Sequence, residues 1–338
     1  MPAAPPGFEP SPATLAGQTA DVYFLRSRQV LEAEGRDPAA VIEVFARRRA
    51  LLCGMREVEA LLSQALAGAA AASVERLPEG RWFDPGEVVL RVSGPYRAFG
   101  LYETALLGAL ASETGWATAA SACVAEAGGV PVVHFGARHV HPDVSPRLEY
   151  AAVVGGCSGC ATPAGAALSG LEATGTLPHA LVLIFGDTLE AALAFDRQID
   201  PAVGRTVLVD TFLDEAEESV RVAGAMGERL WAVRLDTPSE LGGVTPELVG
   251  RVRSRLDAGG HRDVKILVSG GITPERIRAF REAGAAVDGY GVGSAISGAP
   301  AVDFTADVKE VDGVAVAKRG RRPGRTDNPR LEVLELTS

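Results

Sequence analysis

The sequence predicts an α/β protein: an irregular (β/α) barrel of about seven parallel strands plus a smaller α/β domain built from the N-terminal region and the C-terminal segment. Two observations carry this. From about residue 130, short apolar runs each end in glycine or polar residues and are each followed by a helical pattern: VPVVHFGAR, YAAVVGG, HALVLIFGD, RTVLVDT, LWAVRLDT, VKILVSGG and VDGYGVG. Near-continuous apolar strands alternating with helices mark a parallel sheet covered on both faces. The last segment, DFTADVKEVDGVAVAKRGRRPG, instead alternates like a strand pair turning at Asp312 and Gly313.

In chain order, residues 1–17 are rich in Pro, Ala and Gly and read as a flexible arm. An N-terminal α/β domain is expected over 18–120, joined by about 303–338, with the barrel over 121–302. Between Thr19 and Ala72 apolar residues recur at helical spacing (Val22, Leu25, Val30; Val41, Val44, Phe45; Val58, Leu61, Leu62), which predicts two or three helices. GEVVLRVSGPY is β-branched and bounded by Pro85 and Pro95, as a strand would be, and AFGLYETALLGALAS reads as a helix.

The 338 residues carry a formal net charge of -10, which argues against nucleic acid as a partner. Lysine occurs only at Lys265, Lys309 and Lys318, so arginine must supply most cations. No apolar run reaches the roughly 20 residues needed to span a bilayer, and MPAAPPGFEPSPATLAG lacks the blocks of a signal peptide. A cytoplasmic protein with no membrane partner is expected. Cys53, Cys123, Cys157 and Cys160 are too few and irregular for a disulfide framework.

In a (β/α) barrel the carboxyl ends of the strands converge on one mouth. Two of these ends carry glycines: Ser269-Gly270-Gly271 before the helix start Thr273-Pro274-Glu275, and Gly291-Val292-Gly293-Ser294 one unit later. Glycine lets backbone N–H groups approach an anion, and a helix amino end adds partial positive charge, so the pair points to phosphate. Two other ends carry Asp210 and Asp236. A carboxylate there accepts hydrogen bonds from ribose hydroxyls or holds Mg²⁺; capping a helix is the competing duty.

In this order, FGARHVHP, GTLPHA, VDTFLDE, VRLDTPSE, ILVSGGI and GVGS resemble the nicotinate phosphoribosyltransferases, most of all the shorter archaeal-type members, over about residues 18 to 325. The resemblance implies that Phe135 and Arg138 hold the pyridine ring and its carboxylate, chemistry suited to an aromatic face and a guanidinium. It implies that Tyr23, paired with Asp21, closes over the base from a neighbouring subunit, hence a homodimer or higher oligomer with shared active sites. Ala161, beside Thr162 in the base site, stands where nicotinamide-using relatives carry Asp, which favours nicotinate. His179 is the residue that ATP would phosphorylate. His139 and His141 either contact phosphate or merely finish the strand, and Thr176 is a further phosphate candidate. The family's four-cysteine zinc knuckle has no counterpart in residues 309–338, so no zinc is expected, and Cys157 with Cys160 is assigned to packing.

The expected reaction joins nicotinate to 5-phosphoribosyl 1-diphosphate, with Mg²⁺ and ATP coupling, in NAD salvage; such an enzyme is a ligase, a glycosyltransferase and a phosphoprotein. Quinolinate phosphoribosyltransferase is the enzymatic alternative, with the lack of lysine counting against its second carboxylate. A non-catalytic pyridine nucleotide-binding sensor is the other.

Overall fold

The computed structural model describes residues 7–69 and 71–336, so positions 1–6 of the expected arm lie outside the described residues. Within 7–17, Ser11 caps a one-turn helix at Pro12–Leu15, and Phe8 is 1% exposed. The strands are β1 (Ala39–Ala46), β2 (Ser73–Arg76), β3 (Val88–Pro95), β4 (Val132–His134), β5 (Arg205–Leu208), β6 (Leu230–Leu235), β7 (Lys265–Val268), β8 (Gly289–Val292), β9 (Phe304–Val311), β10 (Val314–Ala315) and β11 (Glu332–Leu334). The chain divides into two compact units, one taking residues up to Thr118 and from Pro300 on, the other Ala119–Ala299.

The first unit is a six-stranded antiparallel sheet in the order β10-β9-β1-β3-β2-β11. Helices α1 (Val22–Ala33), α2 (Met55–Ala65) and α3 (Glu103–Ala127) accompany it. Ile42, Val44, Leu90 and Val92 of the sheet pack with Met55, Leu62, Leu106 and Leu110 of the helices in one core. The expected helix through Val41, Val44 and Phe45 is therefore the strand β1. AAVIEVFA is rich in β-branched residues, and all but one of its positions from Ala40 on are buried, a pattern set by two paired neighbours rather than by helical periodicity. Asp312 and Gly313, at φ 48° and 76°, turn β9 into β10 as the alternation predicts.

The other side of β1 carries charge. Glu43 lies directly opposite Arg91 of β3, which lies opposite Glu75 of β2. Arg91 bonds Glu43 at 2.9 Å and Glu75 at 2.8 Å, and Lys309 Nζ stands 3.8 Å from Glu43. The C-terminal segment joins this cluster: Thr326 N–H donates to Glu43 at 2.8 Å, and the Arg322 carbonyl accepts from Lys309 at 2.7 Å. Two arginines of this segment are paired, Arg321 with Asp307 and Arg325 with Glu310.

The second unit holds a five-stranded, fully parallel sheet in the order β4-β8-β7-β6-β5. Two of the seven expected strands are helices. YAAVVGG belongs to α4 (Ser145–Val154), which buries Leu148, Ala151 and Ala152 at helical spacing, and HALVLIFGD forms α6 (His179–Phe185), ended by Gly186 at φ 76°. A short apolar run fits a buried helix and a buried strand equally well; here Ser145-Pro146 and Pro178 at the starts and the glycine stops decide for helix. In their place, extended backbone lies along the two edge strands. His134 N–H donates to Gly159 O at 3.0 Å, Thr174 N–H to Cys160 O at 2.8 Å, and Leu177 N–H to Thr206 O at 3.4 Å. Among the described residues, no helix is long and apolar enough to cross a membrane.

Candidate active site

Strand alternation aims every second side chain of β6 at one face. That face presents Arg234 and, just past the strand, Asp236. Arg234 is the hub of the site. Its Nε donates to Ser269 Oγ at 2.8 Å, one Nη to Thr176 Oγ1 at 2.8 Å and the other to Asp236 Oδ2 at 2.9 Å. Ser269 Oγ in turn donates to Asp236 Oδ1 at 2.8 Å. The guanidinium carbon stands 5.0 Å from the centre of the Phe135 ring, within cation–π range.

Phe135 lies against β8 at a place where only glycine fits: a Cβ on Gly291 would fall 2.4 Å from two ring carbons. Phe135, Thr176, Arg234, Ser269 and Gly291 line one cavity of about 490 Å³, with Val133, Thr174 and Tyr290 also on its wall. An aromatic face, a paired guanidinium and hydroxyls around a space of that size suit a small planar, anionic ligand.

Past β5, His179 Nε2 meets Asp210 Oδ2 at 3.1 Å; the carboxylate is 3% exposed and the imidazole 40%. Burial pushes the Asp210 carboxyl above its usual range, opposed by the bond to His179. Its other oxygen, Oδ1, is buried without a hydrogen-bond partner. The glycine loop after β7 has Gly270 and Gly271 at φ 85° and 62°; Arg276 donates to both of their carbonyls, and Thr273 caps the helix Pro274–Glu282. After β8, Gly293 and Ser294 begin a single helical turn, and a Cβ on Gly293 would come 3.0 Å from the His139 ring.

Other expected site residues fall as follows. Arg138 and His139 lie on a 3₁₀ turn after β4; Arg138 is exposed and forms no ion pair among the described residues, while His139 Nδ1 bonds Ser297 Oγ at 2.7 Å. His141 is exposed and accepts from Asp143 N–H at 3.2 Å. Thr162 caps α5 (Pro163–Ser169), and the Ala161 and Thr162 N–H groups both donate to Glu149. Tyr23 belongs to the first unit, 56% exposed, with its hydroxyl 3.4 Å from Asp21. Cys157 and Cys160 are buried, and burial pushes their thiols up to about 12 and about 11.

Sequence reasoning missed Arg234, Glu149 and His134. Arg234 stands two residues before Asp236 on one strand, so alternation alone would have placed both in the mouth. Glu149 stands immediately before the run YAAVVGG that reads as a strand. Where metal ligands are concerned, Cys53, Glu79 and Glu113 come together in the first unit, but Glu79 already accepts the N–H groups of Gly54 and Met55 at the start of α2.

A parallel sheet whose strands end in glycine loops and acids, with an aromatic ring and a guanidinium lining a cavity, describes an α/β protein of the phosphoribosyltransferase type. Residues 21–113 match the family described as quinolinate phosphoribosyl transferase, N-terminal domain, and residues 116–307 its C-terminal domain. The chain belongs to the quinolinate phosphoribosyltransferase family. A solved nicotinate-nucleotide pyrophosphorylase from Pyrococcus furiosus is 41% identical, with a TM-score of 0.86, over 96% of this chain and 84% of that one. A nicotinate phosphoribosyltransferase of Mycobacterium tuberculosis is 34% identical over 255 residues, 73% of this chain and 55% of its own length. The chain thus spans about half the length of the curated relatives it matches. Human nicotinic acid phosphoribosyltransferase shares the fold, at 22% identity and a TM-score of 0.72 over 90% of this chain and 77% of that one.

These matches correct the reading drawn from the resemblance. The family is that of quinolinate, not nicotinate, phosphoribosyltransferases, because both domain patterns match, over residues 21–113 and 116–307, while the nicotinate enzyme matches over 55% of its length. With that reading go ATP as co-substrate, the phosphorylated His179, nicotinate as the base, and the ligase and phosphoprotein assignments. His179 instead has a carboxylate partner in Asp210.

Proposed function

We propose that the protein is a decarboxylating quinolinate phosphoribosyltransferase. The pyridine nitrogen of quinolinate displaces diphosphate from 5-phosphoribosyl 1-diphosphate, the 2-carboxylate then leaves as CO₂, and a proton from water takes its place at C2 to give nicotinate mononucleotide. The observation that supports it best is the Arg234–Phe135 pair on the floor of a small cavity, within a chain matched by both family domains. The shortage of lysine raises no obstacle, because two arginines serve: Arg234 on the cavity wall and the exposed Arg138, which forms no ion pair among the described residues. A guanidinium binds a carboxylate through two parallel hydrogen bonds.

Each other part has a role in this reaction. Phe135 stacks the ring and directs its lone pair at the anomeric carbon, so no general base is required. Asp210 and Asp236 hold ribose hydroxyls and stabilise the cationic sugar of an oxocarbenium-like transition state. The loops at Ser269, Gly270 and Gly271 and at Gly291, Gly293 and Ser294 receive phosphate groups. The orphaned Asp210 Oδ1 and nearby Asp236 make a carboxylate pair that fits Mg²⁺, which would neutralise the departing diphosphate. The stretches at 157–160 and 174–177, bonded at β4 and β5, support reading the five-stranded sheet as part of a barrel. A cytoplasmic location agrees with four buried, unpaired cysteines.

The test supplies quinolinate labelled at the 2-carboxylate with phosphoribosyl diphosphate and Mg²⁺, and measures CO₂ and nicotinate mononucleotide. Equal release of both supports the reading. Turnover of nicotinate, with quinolinate untouched, overturns it.

A further inference from the structure

The stretch between β4 and β5 contains no regular strand, yet it forms part of the cavity wall, and one carboxylate organises it. Glu149 of α4 has no exposed surface. Its Oε1 accepts from Ala161 N–H at 2.7 Å and Thr162 N–H at 3.1 Å, and its Oε2 accepts from the Thr162 hydroxyl. A buried carboxylate needs converging donors, and here the hydrogen bonds come from one dipeptide, with the His134 ring 4.0 Å from Oε1. The fit leaves no slack, since a Cβ on Gly165 would fall 2.1 Å from Oε2.

The dipeptide passes this constraint on. Cys160 accepts from Thr174 N–H at 2.8 Å, and two residues later Thr176 Oγ1 receives Arg234. We propose that Glu149 is a positioning residue of the site: by fixing Ala161 and Thr162 it sets the 174–177 wall and, through Thr176, the Arg234 guanidinium over Phe135. Glu149 touches no reacting group, and the inference rests on the pocket assignment made above.

Glu149→Gln keeps the volume and one acceptor oxygen, while Thr162→Val removes only the hydroxyl partner. Hydrogen exchange of the 157–177 peptides, followed by mass spectrometry, should quicken in both variants while the β6 and β7 peptides keep their protection. The KM for quinolinate should rise about tenfold, the size of one hydrogen bond, with kcat within about threefold of the parent. Unchanged exchange and KM would overturn the proposal. So would activity lost only in proportion to folded protein at constant KM, the mark of a purely structural residue. If the parent protein does not turn over quinolinate, the reaction assignment fails on its own. Calorimetric affinity for 5-phosphoribosyl 1-diphosphate then replaces KM: a loss of about tenfold in Glu149→Gln supports the positioning role, and an unchanged affinity overturns it.

Discussion

Gly291→Ala is the sharpest perturbation of the candidate site, because one methyl group meets one ring. The added carbon would sit 2.4 Å from Cδ2 and Cε2 of Phe135 and 3.1 Å from Ser269 Cβ. Ordinary carbon contacts lie at about 3.5–4.0 Å, so the ring must retreat by more than ~1 Å or the strand must shift. Overpacking of this kind costs about 1–3 kcal/mol of stability. The functional loss should be larger than stability alone explains, since a ~1 Å misplacement of a stacking surface costs roughly a hundredfold. The assay compares kcat/KM for quinolinate in Gly291→Ala, Phe135→Leu and the double variant. Leucine is narrower than the ring, so the double variant should melt closer to the parent than Gly291→Ala does while staying poorly active. If Gly291→Ala kept more than about a third of the parental kcat/KM, Phe135 would not be the surface on which the base lies.

Three more outcomes are expected. Arg234→Ala strips a charged partner from Ser269, Thr176 and Asp236 and should lower kcat/KM roughly tenfold to hundredfold, on the scale of one lost charged hydrogen bond, as steady-state kinetics will show. Glu43→Ala leaves Arg91 and Lys309 buried without their shared carboxylate and should cost about 3–5 kcal/mol in urea unfolding of the first unit. His134 is fully buried, and burial, then His139, holds its pKa down at about 4 against an ordinary 6.5. Its folded-state value is the lower one, so the unfolded chain binds the extra proton first. The stability it contributes is complete above about pH 6.5 and is lost as pH falls toward 4, by roughly 3 kcal/mol in all. Thermal melts of His134→Phe should therefore decline less steeply over that window than those of the parent.

The second unit was legible wherever a strand ran into a glycine or an acid, because the same residues that end the strand also face the mouth. β5, β6, β7 and β8 fall on RTVLVDT, LWAVRLDT, VKILVSGG and VDGYGVG. YAAVVGG and HALVLIFGD were misread because apolar runs of seven or so residues carry no usable period, and the deciding signals lay in flanking proline and glycine. β1 was misread for a different reason: Val41, Val44 and Phe45 happen to sit at helical spacing, while burial of nearly every position between β3 and β9 comes from partners far away in sequence. The choice of substrate was the least legible part. The FGxR motif of Phe135 to Arg138 carried the resemblance without separating an acid with one carboxylate from an acid with two, and Arg234, the arginine that lines the cavity, lay outside it.

The order of strands in the antiparallel sheet has a consequence for how the protein is made. β1 leaves the ribosome early, yet one of its two neighbours, β9, is translated more than 250 residues later, after the whole of the parallel unit. The inserted unit is contiguous and free to fold as it emerges, but the antiparallel sheet must wait with β1 open along one edge. An open, apolar edge is the surface most prone to pair with the wrong chain. Truncation before Phe304 should therefore leave the parallel unit able to fold and turn the N-terminal region into the part that aggregates.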